Sequence, residues 1–113
     1  MDYQLLVNDV IKACENKDAF LFSSLFSNDG VIILNNNSTI YKEDIETVTK
    51  TYFDNLKYIK IHVKSLIIQE NKAFIEWSWL DYNLITNKEN NRDNLIILDF
   101  KNNSIDRWQE YNK

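Results

Sequence analysis

From Ile59 onward the hydrophobic residues of this chain recur at every second position, and this period limits its fold more than any other feature. Ile59, Ile61 and Val63 alternate with Lys60, His62 and Lys64 in a strand that continues towards Ile68. This is the spacing of a strand with one buried face. A turn at Glu70-Asn71 leads to a second alternation. Ala73, Ile75, Trp77, Trp79 and Asp81 fall on one face, and Phe74, Glu76, Ser78, Leu80 and Tyr82 on the other. The polar stretch Asn87 to Arg92 reads as a loop. Asn94 to Phe100 and Ser104 to Tyr111 read as a last hairpin around Asn102-Asn103. Before residue 56 the period is helical. Leu6, Val10, Ile11 and Cys14 form one apolar stripe and Ala19, Phe22, Leu25 and Phe26 another. Ile45, Val48, Tyr52 and Phe53 form a third within Glu43 to Asp54. Asp2 and Asp18 stand where helices start. Ser27 to Gly30 breaks the second helix, and Val31 to Leu34 reads as a short strand. The expected fold class is α+β, with three helices of the N-terminal half packed on one face of a curved antiparallel sheet.

The 113 residues suit a single domain spanning 1–113, with no repeat or linker. At 44% hydrophobic and 13% aromatic, the composition is that of a chain that folds. One glycine and no proline leave the turns to asparagine, in Asn35-Asn36-Asn37, Asn90-Asn91 and Asn102-Asn103, because asparagine tolerates the left-handed conformation. Apolar runs such as Val31 to Leu34 and Leu95 to Leu98 fall far short of the ~20 residues that span a bilayer, so no membrane partner is expected. No secretory signal pattern opens the sequence. Thirteen basic against seventeen acidic residues give a net charge of −4, which argues against a nucleic-acid partner. Cys14, the single cysteine, reads as a small buried hydrophobe, and its solitude points to a cytoplasmic protein.

Three segments carry a resemblance to the NTF2-like superfamily, and within it to the SnoaL-like group of cone-shaped proteins. Asn16 to Asp29 is similar to the family's second-helix segment. Ala73-Phe74-Ile75-Glu76-Trp77-Ser78-Trp79 is similar to its central strand, and Asp99 to Tyr111 to its closing hairpin. The chain departs from the family's pattern at Asn103, where a turn glycine is usual, at Lys42, and at Asn112-Lys113, where an aspartate is usual. The resemblance implies a conical cavity between sheet and helices, used in the family for isomerisation, cyclisation, dehydration, epoxide hydrolysis or plain binding. Fold therefore does not settle function. In the ketosteroid isomerases, two oxyanion donors and a basic aspartate do the chemistry. By resemblance, those positions fall here on Val10, Leu34 and Ile96. All three are apolar, so that activity is not expected.

Trp77 and Trp79 share a face because they stand two apart on one strand. A three-residue hairpin loop with Asn103 left-handed pairs Ile96 with Trp108 and Asn94 with Glu110, which brings Trp108 and Glu110 to the same side. A two-residue loop reverses that parity. The expected pocket is therefore lined by Ile75, Trp77, Trp79, Ile96, Leu98 and Trp108. Asp81 and Glu110 are its candidate catalytic carboxylates, with Arg92 and Arg107 as competing ion-pair partners for Glu110. Glu76 faces away, and His62 lies among lysines on the solvated face. One histidine with no spaced partner makes no metal site, and no phosphate loop or nucleophile triad is present. The expected function is cofactor-free binding of a small apolar or aromatic molecule. The alternatives are an acid/base enzyme of cyclase, isomerase or dehydratase type, and an oligomeric interaction module. An outer sheet face carrying Phe74, Leu80, Tyr82, Leu95, Ile97 and Tyr111 is expected to form a homodimer.

Overall fold

The computed structural model describes residues 2–112, so Lys113 lies outside the described residues. Helix α1 (Tyr3–Glu15) opens on Asp2, whose carboxylate accepts from the Leu5 N–H at 3.3 Å. It buries Val7, Val10, Ala13 and Cys14 along one stripe. Helix α2 (Ala19–Ser24) is capped in the same way by Asp18, which accepts from Leu21 N–H at 3.0 Å. Each cap satisfies a donor that the first turn leaves free. Strands β1 (Phe26–Ile33) and β2 (Thr39–Tyr41) lead into α3 (Lys42–Asp54). The buried stripe of α3 is Ile45, Thr49 and Phe53. Val48 and Tyr52 were expected inward but remain 43% and 37% exposed, because the helix is rotated to put them on a rim.

The second half is β3 (Leu56–Gln69), β4 (Lys72–Asn83), β5 (Lys88–Lys101) and β6 (Ser104–Asn112). The strands form one six-stranded sheet in the order β2-β1-β6-β5-β4-β3. Every neighbouring pair is antiparallel except β1 and β6, which run parallel, so the sheet is mixed rather than purely antiparallel. The alternation in β4 places Ala73, Ile75, Trp77, Trp79 and Asp81 on the buried face, as read from the sequence. α1 packs on β3, while α2 and α3 pack together over β1.

Two boundaries differ from expectation. The polar stretch Asn87 to Arg92 is not a loop: β5 begins at Lys88 and pairs with β4 from Asn83↔Lys88 onward. The reversal lies earlier, where the Asn83 carboxamide oxygen accepts from Ile85 and Thr86 N–H at 2.8 and 3.1 Å and Asn87 takes φ 55°. Ladder bonds come from the backbone, so a polar strand is stable once its neighbour is long enough to pair with it. Asn90-Asn91 is accordingly mid-strand. β1 likewise starts at Phe26 rather than Val31, with a register shift between Phe26 and Val31 in its pairing with β6. Gly30 lies in that irregular segment. A Cβ there would come within 3.0 Å of Phe26 Cβ and 3.1 Å of the Ile105 carbonyl oxygen, a close approach suited to glycine.

The closing hairpin has a different turn from the one expected. Lys101 pairs with Ser104 across a two-residue loop, and both Asn102 (φ 50°) and Asn103 (φ 67°) are left-handed. These are the angles of the tight turn that matches strand twist. Alone, it would send Trp108 outward. A bulge restores the parity: Phe100 pairs with Ile105 and Asp99 with Arg107, which leaves Asp106 as the extra residue. Its carboxylate accepts from the Ser27 hydroxyl of β1 at 2.8 Å. Trp108 therefore faces inward opposite Leu98, and Glu110 opposite Ile96, two positions along from the expected register. A β-branched side chain at the left-handed Asn103 is costly, so Asn103→Val is expected to destabilise the fold by ~1–2 kcal/mol. Asn103→Gly should be neutral or stabilising. Urea unfolding midpoints check both.

Candidate functional site

The inward alternation of β4 and the bulge in β6 bring the three tryptophans together. Trp77 lies 6.0 Å from Trp79 and 5.9 Å from Trp108, centroid to centroid, and Phe22 of α2 meets Trp108 edge-on at 5.4 Å. Above them is a cavity of about 350 Å³, partly open at one side, within the size range of small-molecule sites. Trp77, Trp79 and Trp108 form its sheet wall, with Arg92, Asn94 and Glu110 beside them. Val48, Thr49, Tyr52 and Phe53 of α3 cover it, and Ile32, Leu34 and Ile40 close the β1–β2 side. Phe22 and Cys14 complete the lining.

Ile75, Ile96 and Leu98, expected to line this pocket, do not. They are 0%, 1% and 0% exposed and lie in packed core. They share the face of the tryptophans but stand nearer the strand ends, where Tyr3 of α1 stacks on Phe100 at 4.1 Å and fills the space. Of the three positions matched to the ketosteroid isomerases, Val10 and Ile96 are also core, and Leu34 presents only an aliphatic side chain to the cavity. Burial pushes the Cys14 thiol up, towards its neutral form.

Asp81 is also not among the lining residues. It is 2% exposed and sits beneath the rim as an acceptor for several donors. The Trp79 indole N–H and the Tyr52 hydroxyl each donate to its Oδ2 at 2.9 Å. Asn90 donates to Oδ1 at 3.2 Å, and Arg92 Nη2 approaches Oδ2 at 3.4 Å. Arg92 Nη2 also donates to the Tyr52 oxygen at 3.0 Å. A buried carboxylate is tolerable because it is paired and fully hydrogen-bonded. Burial, above all, pushes the Tyr52 hydroxyl up to about 12, with Arg92 working against it. Tyr52 therefore stays protonated and donates.

Glu110 does reach the cavity wall. Burial raises its pKa above the ordinary glutamate value, and the charge of Arg92 opposes that shift. Neither expected ion pair forms among the described residues: Arg92 is held by Asp81, and Arg107 donates to Gln109 at 2.9 Å. The Trp108 N–H stands close enough to favour the charged form of Glu110, yet neither it nor the Trp77 N–H has a well-aligned hydrogen-bond partner among the described residues. Glu76 and His62 lie outside the cavity; Glu76 is on the outer face and His62 is exposed. No cluster of three or more metal-ligating side chains gathers among the described residues.

Sequence reasoning missed Tyr52, Arg92, Asn94 and Thr49 as cavity residues. Arg92 and Asn94 were within reach of it: stepping back by two from Ile96 along β5 puts both on the inner face. Treating Arg92 as part of a loop hid this. The hub predicts a clear mutational order. Asp81→Ala strands the buried Trp79 N–H and leaves Arg92 without its carboxylate, so it should cost at least ~1–3 kcal/mol. Tyr52→Phe removes one hydrogen bond and should cost ~0.5–1.5 kcal/mol. Chemical denaturation of both variants measures the difference.

The SnoaL-like domain family matches residues 4–97 of this chain. No curated protein matches it. Among solved structures, it is similar to a protein of ketosteroid isomerase-like fold from Catenulispora acidiphila DSM 44928, crystallised with trimethylamine. That match has 14% identity and a TM-score of 0.84, and covers 94% of this chain and 83% of the other. An LEH-like epoxide hydrolase of M. tuberculosis gives 12% identity and a TM-score of 0.84, covering 96% and 80%. An NTF2-like protein of unknown function from Burkholderia pseudomallei K96243 gives 9% and 0.83, covering 100% and 92%. At such identities the structural likeness speaks for fold alone. The matched span, with the helix order and the curved sheet, identifies this chain as a member of the SnoaL-like domain family.

Proposed function

We propose that this protein binds a small, largely apolar, aromatic molecule in the tryptophan-walled cavity. The observation that carries this reading is the open space of about 350 Å³ against Trp77, Trp79 and Trp108. The three rings are themselves buried, at 2%, 8% and 5% exposed, yet unlike Ile75 and Leu98 they border this unfilled space. An aromatic ligand entering the space stacks on indole and removes apolar surface from water. The same open volume speaks against an interaction module whose cavity is filled by its own side chains.

A second reading, a cofactor-free acid/base enzyme, is favoured by Glu110, a cavity carboxyl whose proton affinity burial raises. In it Glu110 transfers the proton, and Asp81 holds Tyr52 and Arg92 in place. Glu110→Gln then abolishes turnover while leaving the affinity for a neutral apolar ligand intact. We further propose a cytoplasmic homodimer. Phe74, Leu80, Tyr82, Leu95 and Ile97 remain partly exposed on the outer sheet face and Tyr111 is 43% exposed, which offers an apolar surface for a second copy.

Two measurements test these readings. Tryptophan fluorescence should change saturably as an apolar aromatic probe is added. Trp108→Phe should then weaken binding several-fold, the ~1 kcal/mol of a lost aromatic contact, without unfolding the protein, since the Trp108 N–H has no well-aligned hydrogen bond to lose among the described residues. Unchanged affinity in that variant argues against the cavity as the site. Sedimentation at tens of micromolar protein (an order of magnitude suited to a weak dimer) should show a dimer, and a monomer there refutes the assembly.

A further inference from the structure

The polar corner of the cavity holds an ion pair that is not joined. Arg92 is the one cation among the lining residues and Glu110 the one anion. They sense each other's charge, yet no ion pair links them among the described residues, because Arg92 Nη2 is bound to Asp81 and Tyr52. That anchoring holds one end of the guanidinium, and the Nε and Nη1 donors have no protein partner among the described residues. Guanidinium is suited to carboxylate, which its fork meets with parallel charge-assisted hydrogen bonds. Glu110 is half-buried, and no ion pair joins its carboxylate to a cation among the described residues. It shares the cavity wall with Arg92, close enough for each to feel the other's charge. A second carboxylate placed between them adds a negative charge that Arg92 alone cannot balance. Arg92 already faces Asp81, so one proton shared between Glu110 and the incoming carboxyl group offsets the charge that the ligand adds.

We propose that the cavity takes an aromatic carboxylate together with one proton from solvent, the carboxylate accepting from Arg92 and sharing the proton with Glu110. This deepens the apolar-ligand reading above and rests on it: the ring occupies the tryptophan wall and the carboxylate the polar corner. The other ionisable groups near that corner are accounted for. Asp81 of β4 is enclosed by its donors, and Tyr52 of α3 is held protonated by burial. Cys14 of α1 is kept neutral by burial. Phe22, Ile32, Leu34 and Ile40, the contributions of α2 and the β1–β2 side, are apolar. The burial that raises Glu110 towards its protonated form acts in the same direction.

Isothermal titration calorimetry of the unmodified protein with 2-naphthoate and its neutral near-isostere 2-naphthamide, in buffers of different ionisation enthalpy, tests the proposal. The naphthoate should bind at least about tenfold tighter than the amide at mildly acidic pH, with one proton taken up per ligand. Once free Glu110 is ionised, affinity for naphthoate should fall about tenfold per pH unit. Glu110→Gln should retain naphthoate binding and lose its pH dependence, because the carboxamide donates without a proton from solvent. Arg92→Gln should lose the preference for the acid, and Arg92→Lys should recover part of it, with thermal melting to show that each variant is folded. If the amide binds as tightly as the acid, or the acid binds without proton uptake, this inference is overturned while the cavity reading stands. If neither compound binds, both fall.

Discussion

Asp81 is the point on which the two layers of this protein depend. A carboxylate that is 2% exposed cannot be left to itself in an apolar interior, and the chain surrounds it with an indole N–H, a phenol, a carboxamide and a guanidinium. These come from β4, α3 and β5. Meeting the needs of one buried charge therefore sets where α3 lies over the sheet, how Trp79 is turned and where Arg92 is held. Apolar packing alone, being non-directional, would let the helix settle further onto the tryptophans. A hydrogen-bonded hub has directions and lengths, and it holds the helix where a cavity remains beneath it.

That arrangement explains how a mostly apolar space comes to have one polar corner. Arg92 is tied through Nη2 and keeps its remaining donors without a protein partner among the described residues, so part of the ordering that a ligand needs is already in place. Glu110 has the opposite character, with no ion pair to fix its carboxylate among the described residues and burial favouring its neutral form. The wall thus combines a fixed charge with an adjustable one, beside indole rings that set shape but not polarity.

Much of this was legible from residue spacing. The alternation from Ala73 to Asp81 assigned the inner face of β4 residue by residue, and the helical stripes marked α1 and α2, because burial imposes those periods directly on the side chains. The extent of β5 was less visible: Lys88 to Arg92 pairs through backbone groups, which are the same in every residue, so its polar side chains carried no strand signal. The bulge at Asp106 was hidden for a different reason. It depends on Ser27, distant in sequence, accepting a place beside it in β1. An inward Trp108 was expected from a longer loop; it is in fact produced by a tight asparagine turn and a bulge whose parities cancel. The stripe of α3 was legible at Ile45 and Phe53, which are buried, but Thr49 was missed because it is polar, and Val48 and Tyr52 line the cavity from its rim.

The parallel contact between β1 and β6 has a consequence for how the chain acquires its structure. β6 is the last strand in sequence but lies between β1 and β5. Until it arrives, the β1–β2 pair and the β3–β4–β5 meander are separate sheets, each with an open edge of unpaired backbone groups. The meander is built from local reversals and can form early, whereas β1 must wait for a strand some eighty residues away in the sequence. Such a topology defers the costly loop closure to the final step, which makes folding slow for the chain's size and leaves the nascent protein open to edge-to-edge association.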